Sequence, residues 1–119
     1  MRTAIILLSV ALISNVHAND YSKMSPTMKA YYDCLIDGAT AYAKKATNAS
    51  EAIDAAHSRC YEKRVALADD ILTDFVVDDA MAGRTPRSKY QSDRLVKASL
   101  QKIDDRIRPD LVRAVLEAK

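Results

Sequence analysis

The chain is poor in the residues that build turns and special sites: its 119 residues include two glycines, three prolines, one phenylalanine, two histidines and no tryptophan. Two glycines are too few for a phosphate-cradling loop, which argues against nucleotide chemistry. Apart from Gly38, the glycines and prolines fall where helices would begin or end, and none recurs at hairpin-like intervals, so strands are not indicated. Basic and acidic residues nearly cancel, at 18 and 16. They are interspersed rather than blocked, which gives no global attraction to nucleic acid or to anionic lipid. The two cysteines, Cys34 and Cys60, form no C-x-x-C pair that would lower a thiol pKa. No nucleophile-elbow motif accompanies the serines, so Ser-His-Asp chemistry has no anchor.

What is present begins with an address. Met1 and Arg2 make a short positive start, residues 4–13 are almost purely apolar, and Val16-His17-Ala18 offers small or slim residues where a signal peptidase reads. Residues 1–18 therefore read as a cleavable export signal with Asn19 as the first mature residue. The apolar run is well short of the ~20 residues a membrane span needs. No cysteine follows it closely enough for lipid attachment. Loss of Arg2 with the signal leaves 17 basic residues against 16 acidic ones, and residues 19–119 have the length of one domain with one core. The expected destination is the periplasm or the exterior. In such a compartment an even pair of cysteines is oxidised.

The apolar pattern predicts an all-α protein. Ser25-Pro26 supplies an N-cap and the residue best tolerated at the first helical position, and Met28, Tyr31, Tyr32, Leu35, Ala39, Tyr42, Ala43 and Ala46 recur at helical spacing, predicting a first helix over 26–46. Asn48 and Glu51 form a capping-box pattern that opens a second helix, whose stripe of Ile53, Ala56, Cys60, Leu67, Ile71 and Phe75 predicts a long element over 49–81. Gly83 ends it. Ser88 and Gln91 repeat the box for a third helix, which Pro109 should end or kink, leaving around Leu111, Val112, Val115 and Leu116 a short C-terminal helix or a kinked continuation. The expected architecture is a small bundle of three main helices plus that short one.

Residues facing each other across an antiparallel helical hairpin have numbers that sum to a constant. Cys34 and Cys60 are centred on residue 47, where capping chemistry independently places the turn, and the same register sets Gly38 opposite Ala56 and Tyr42 opposite Ala52. A disulfide brings Cα atoms to ~5.5 Å, against ~8 to 10 Å for ordinary helix packing, so small residues are required at the crossing. Gly38, costly inside a helix, is thereby explained. The expectation is a Cys34–Cys60 bond stapling the hairpin.

His57, the one histidine left after processing, would complete a metal set only with reduced Cys34 and Cys60, so no metal and no cofactor is expected. Asp70, Asp74 and Asp78 line one face of the second helix, with Asp69 and Asp79 alongside, facing Arg84, Arg87, Lys89, Arg94 and Lys97 beyond the turn. Cross-hairpin ion pairing is the bland account and an acidic ridge for a basic partner or Ca²⁺ the sharper one, which counts for less because helices present carboxylates in a row rather than wrapping them round an ion. Tyr31, Tyr32 and Tyr61, grouped with Tyr42 near the disulfide, read as packing with wet hydroxyls or as a binding surface. With catalysis unsupported, the sequence predicts a non-enzymatic exported protein that binds another protein, as an inhibitor, immunity protein or assembly helper does. The alternative is a carrier of a small apolar ligand or lipid between the second and third helices.

Overall fold

The computed structural model describes residues 21–119, so the export signal over 1–18 and the cleavage site after Ala18 lie outside the described residues. Four helices lie wholly within them and no strand does: α1 Pro26–Tyr42, α2 Ala49–Arg59, α3 Tyr61–Met81 and α4 Lys89–Ala118.

The helix starts are those the side chains dictate. Ser25 Oγ accepts from the Met28 N–H at 3.2 Å with Pro26 opening α1. Asn48 Oδ1 accepts from the Glu51 N–H at 2.9 Å at the head of α2, and the Glu51 carboxylate reaches back to the Thr47 N–H at 3.1 Å. At α4 the box is complete, Ser88 Oγ and Gln91 Oε1 each accepting the other's N–H at 3.2 Å. Gly83 closes α3 at φ +67°, with Arg84 N–H donating to Asp79 O and Gly83 N–H to Ala80 O. That pair of bonds satisfies two carbonyls the helix end would leave open.

Three boundaries depart from expectation. The first helix stops at Tyr42, where Lys45 and Ala46 N–H both turn back to the Tyr42 carbonyl, four residues short of the predicted end. The predicted 49–81 helix is two helices, because Cys60 leaves helical geometry at φ −97°, ψ 17°. No glycine or proline marks that bend; it sits at the residue the disulfide holds. Of the two readings beyond Pro109, the separate short C-terminal helix is not formed and the continuation is, since α4 runs through Pro109. The apolar row Ile107, Leu111 and Val115 is buried on one face, and that packing carries the helix past the one hydrogen bond proline removes.

Cys34 and Cys60 are bonded, with Cα atoms 5.9 Å apart. One turn nearer the loop, a Cβ built on Gly38 would lie 3.0 Å from the Ala56 Cβ, so the predicted facing of these two residues is real. Ala52, Ala56, Ala39 and Ala43 are fully buried, and Tyr42 is half-buried against the same cluster. This close seam of small residues joins larger side chains, Tyr31, Leu35, Ile53, Leu111 and Val115, into one core. Each of the aliphatic ones contributes about 1.5–3 kcal/mol by leaving water.

The core is lopsided. It lies among α1, α2 and the C-terminal half of α4, while α3 adds only Leu67 as a buried apolar residue and α4 adds none before Leu100. The rest of α3 and the first turns of α4 form an antiparallel helical arm that stands off the stapled core.

Candidate protein-interaction surface

The arm is fixed to the core by a polar junction to which each helix contributes one residue. Tyr31 of α1 is fully buried and its hydroxyl donates to Asp104 Oδ1 of α4 at 2.6 Å. The other Asp104 oxygen pairs with Arg64 Nη2 of α3 at 2.9 Å. His57 Nδ1 of α2 lies 3.2 Å from the same Tyr31 hydroxyl. Burial above all, and then the bond to Asp104, push the Tyr31 phenol well above its ordinary pKa. Burial works against the Arg64 charge, yet Asp104 and Tyr31 outweigh it and raise its pKa. A phenol held so firmly keeps its proton at neutral pH. The junction is thus a strut: a half-buried carboxylate that accepts from a guanidinium and a hydroxyl.

A second aromatic tie lies alongside. The Tyr32 hydroxyl donates to Asp110 Oδ2 at 3.0 Å, and burial followed by that bond raises its pKa to about 12. Tyr21 packs at 5.9 Å from the Tyr32 ring and donates to Asp33 Oδ2 at 2.9 Å.

Beyond these ties the arm is held by less. Half-buried Ala68, Ile71, Leu72, Phe75 and Val96 make its inner seam, and its tip is closed by Asp79, buried at 6% exposure, which receives Arg84 Nε at 2.9 Å and Arg87 Nη2 at 3.3 Å. Large apolar side chains nevertheless point outward along it: Tyr61 is 66% exposed, Val76 59%, Met81 84% and Tyr90 70%, with Val65 also exposed. Two open grooves run between α3 and α4. One, of about 330 Å³, is floored by Ala68, Leu72, Val96 and Leu100. The other, of about 350 Å³, is floored by Ile71, Phe75 and Ile103. They share no residue, and helical spacing turns Asp69 and Leu72 of the first to one side of the seam with α4 and Ile71 and Asp74 of the second to the other, so the two lie on opposite faces of the helix pair.

The sequence-predicted residues separate on this frame. Tyr31 is no surface residue, because its ring fills the core and its hydroxyl is spent on Asp104; the expectation of a wet hydroxyl is corrected here. Tyr32 is half-buried through Asp110, and of the three proposed surface tyrosines only Tyr61 presents its ring to solvent. Of the two accounts of Asp70, Asp74 and Asp78, cross-hairpin ion pairing is not made by any of the three. Asp70 accepts from the Thr27 hydroxyl, and the basic residues after the turn are drawn to Asp79 instead. Residue 79 points inward at the arm's tip, whereas the ridge carboxylates are exposed. Arg64 and Asp104 carry no signal in the sequence, since at 40 positions apart no local spacing pairs them.

Among the described residues there is no group of three or more His, Cys, Asp or Glu side chains able to hold a metal ion, and no helix long and apolar enough to cross a membrane. No protein-family model matches the chain, and neither the curated proteins nor the solved structures compared with it give a match.

Proposed function

We propose that this is an exported, non-enzymatic protein that acts by binding another protein, and that it does so through the face of its helical arm bearing Tyr61, Val65, Leu72, Val76 and Tyr90. The observation that carries this reading is the outward apolar side chains of the arm. Tyr61 and Val65 are four residues apart, and Leu72 and Val76 continue the same helical row. Tyr61, Val65 and Val76 are exposed although the core needs none of them. Contiguous apolar surface is rare on monomeric soluble proteins unless something covers it, and aromatic residues are the usual anchors of such contacts. A rigid, stapled base with a projecting helix pair suits a binder of the inhibitor, immunity or assembly-helper kind, because little ordering entropy remains to be lost on docking. The bonded cysteines are compatible with an oxidising location, as export of the mature chain from Asn19 requires.

The open grooves of the arm, rimmed by charged side chains, favour a protein face over an enclosed lipid chamber. The test is affinity capture from a periplasmic extract with the exported protein as bait, wild type against Val65→Asp with Val76→Asp. A stoichiometric partner retained by the wild type and lost by the double variant is the expected result. Equal capture by both would refute the assignment of the face. A stoichiometric apolar small molecule in native mass spectrometry would replace the reading with that of a carrier.

A further inference from the structure

The opposite face of the arm has a different character, and from it we infer that the chain pairs with a second copy of itself. Its groove is floored by Ile71, Phe75 and Ile103. The α3 rim is acidic, with Asp74 and Asp78, and the α4 rim is basic, with Lys102 and Arg106. None of these four charged side chains takes part in an ion pair: those formed among the described residues are Arg64–Asp104 and the two to Asp79. A face with an apolar floor and two unneutralised rims of opposite sign is complementary to itself after a half-turn.

Symmetry selects the arrangement. A two-fold axis parallel to the arm lays α3 of one copy over α4 of the other, antiparallel, and sets Asp74 and Asp78 against the basic rim of the second copy twice over. A two-fold axis across the arm would stack acidic rim on acidic rim, and like charges exclude it. The product is a four-helix bundle made from two hairpins, closing Ile71, Phe75 and Ile103 into a shared core. The groove runs over residues 71–78 of α3 and 99–106 of α4, about 12 Å of each helix at 1.5 Å rise and two helices wide at 8–10 Å each, so the shared contact is small beside that of a permanent dimer. The dimer is therefore a dissociable one, formed in a concentration-dependent way. It leaves the face with Tyr61, Val65 and Val76 outward, so it does not rest on the partner-binding reading, and each dimer presents that face twice.

The test is sedimentation velocity of the exported, oxidised protein over a hundredfold concentration range. One variant carries Asp74→Lys with Asp78→Lys and so has two basic rims; a second carries Lys102→Glu with Arg106→Glu and has two acidic rims. Wild type is expected to shift from monomer to dimer with concentration, and to dissociate more readily at high salt. Each variant alone is expected to associate at least tenfold more weakly, while an equimolar mixture of the two recovers a heterodimer. Recovery on mixing requires the charges to meet between molecules, which no intramolecular effect reproduces. If either double variant fails to give a helical circular dichroism spectrum, Asp74→Lys and Lys102→Glu alone and mixed serve the same purpose. A wild type that stays monomeric throughout, or variants that dimerise as the wild type does, would overturn the proposal and leave the opposite face's capture experiment untouched.

Discussion

Replacing Gly38 by alanine sets two opposing effects of known size against each other at the tightest point of the fold. In an unencumbered helix the change would stabilise by about 1 kcal/mol, through backbone entropy alone. Here the new Cβ would lie 3.0 Å from the Ala56 Cβ and 3.1 Å from its Cα. Carbon atoms pack at about 3.5–4.0 Å, so α1 and α2 must separate by roughly half an ångström. Neither contacting atom belongs to a flexible side chain that could swing aside. The separation is resisted by the Cys34–Cys60 bond one turn away, which holds the two backbones at a Cα distance of 5.9 Å. Overpacking of this kind costs about 1–3 kcal/mol, so the net effect in the oxidised protein is a loss of about 1 kcal/mol, or roughly 4–8 °C in Tm for a domain near 100 residues. With the bond reduced, the helices are free to drift apart and the cost should shrink toward, or past, zero. The measurement is thermal unfolding of wild type and Gly38→Ala, each oxidised and reduced, with Gly38→Leu as the severe case. An oxidised Gly38→Ala protein that melts above wild type would refute the reasoning.

Other consequences are as direct. Reducing the disulfide, which closes a span of 26 residues, should remove about 3.5 kcal/mol and lower Tm by about 15 °C or more; a reduced protein with unchanged Tm would show the bond to be an ornament on an already rigid hairpin. Tyr31→Phe keeps the ring in the core but takes the hydroxyl from Asp104 and His57, and should cost about 1–3 kcal/mol in chemical denaturation without changing helix content; a neutral result would mean that the junction is not a strut. Tyr31 and Tyr32 hold their protons more tightly folded than unfolded, where a phenol titrates at about 10, so their stabilisation is full below that pH and is lost as pH rises from about 10 through the folded value, about 12 for Tyr32. Denaturation midpoints measured from pH 9 to 12 should fall, and less steeply in Tyr32→Phe; equal slopes would contradict the assignment.

Local chemistry made the ends of the helices and the stapled seam readable in advance. Ser25, Asn48 and Ser88 announce their caps because each satisfies an N–H within three residues of itself, and the register of Cys34 with Cys60 and of Gly38 with Ala56 follows from a turn those caps locate. What spans the fold was not readable. The bend at Cys60 carries no turn residue, and the helix through Pro109 survives on burial that a one-dimensional pattern does not weigh. Nor does spacing distinguish Asp79, drawn inward by Arg84 and Arg87, from Asp78, left exposed beside it. The meeting of Tyr31, His57, Arg64 and Asp104 is decided by how four helices cross, as is the split of the arm into two unlike faces. The sequence alone determined which segments coil and where two of them are tied, because those forces act over a few residues or through a covalent bond. Tertiary structure decided which side chains are left facing water, because that depends on what every other helix covers.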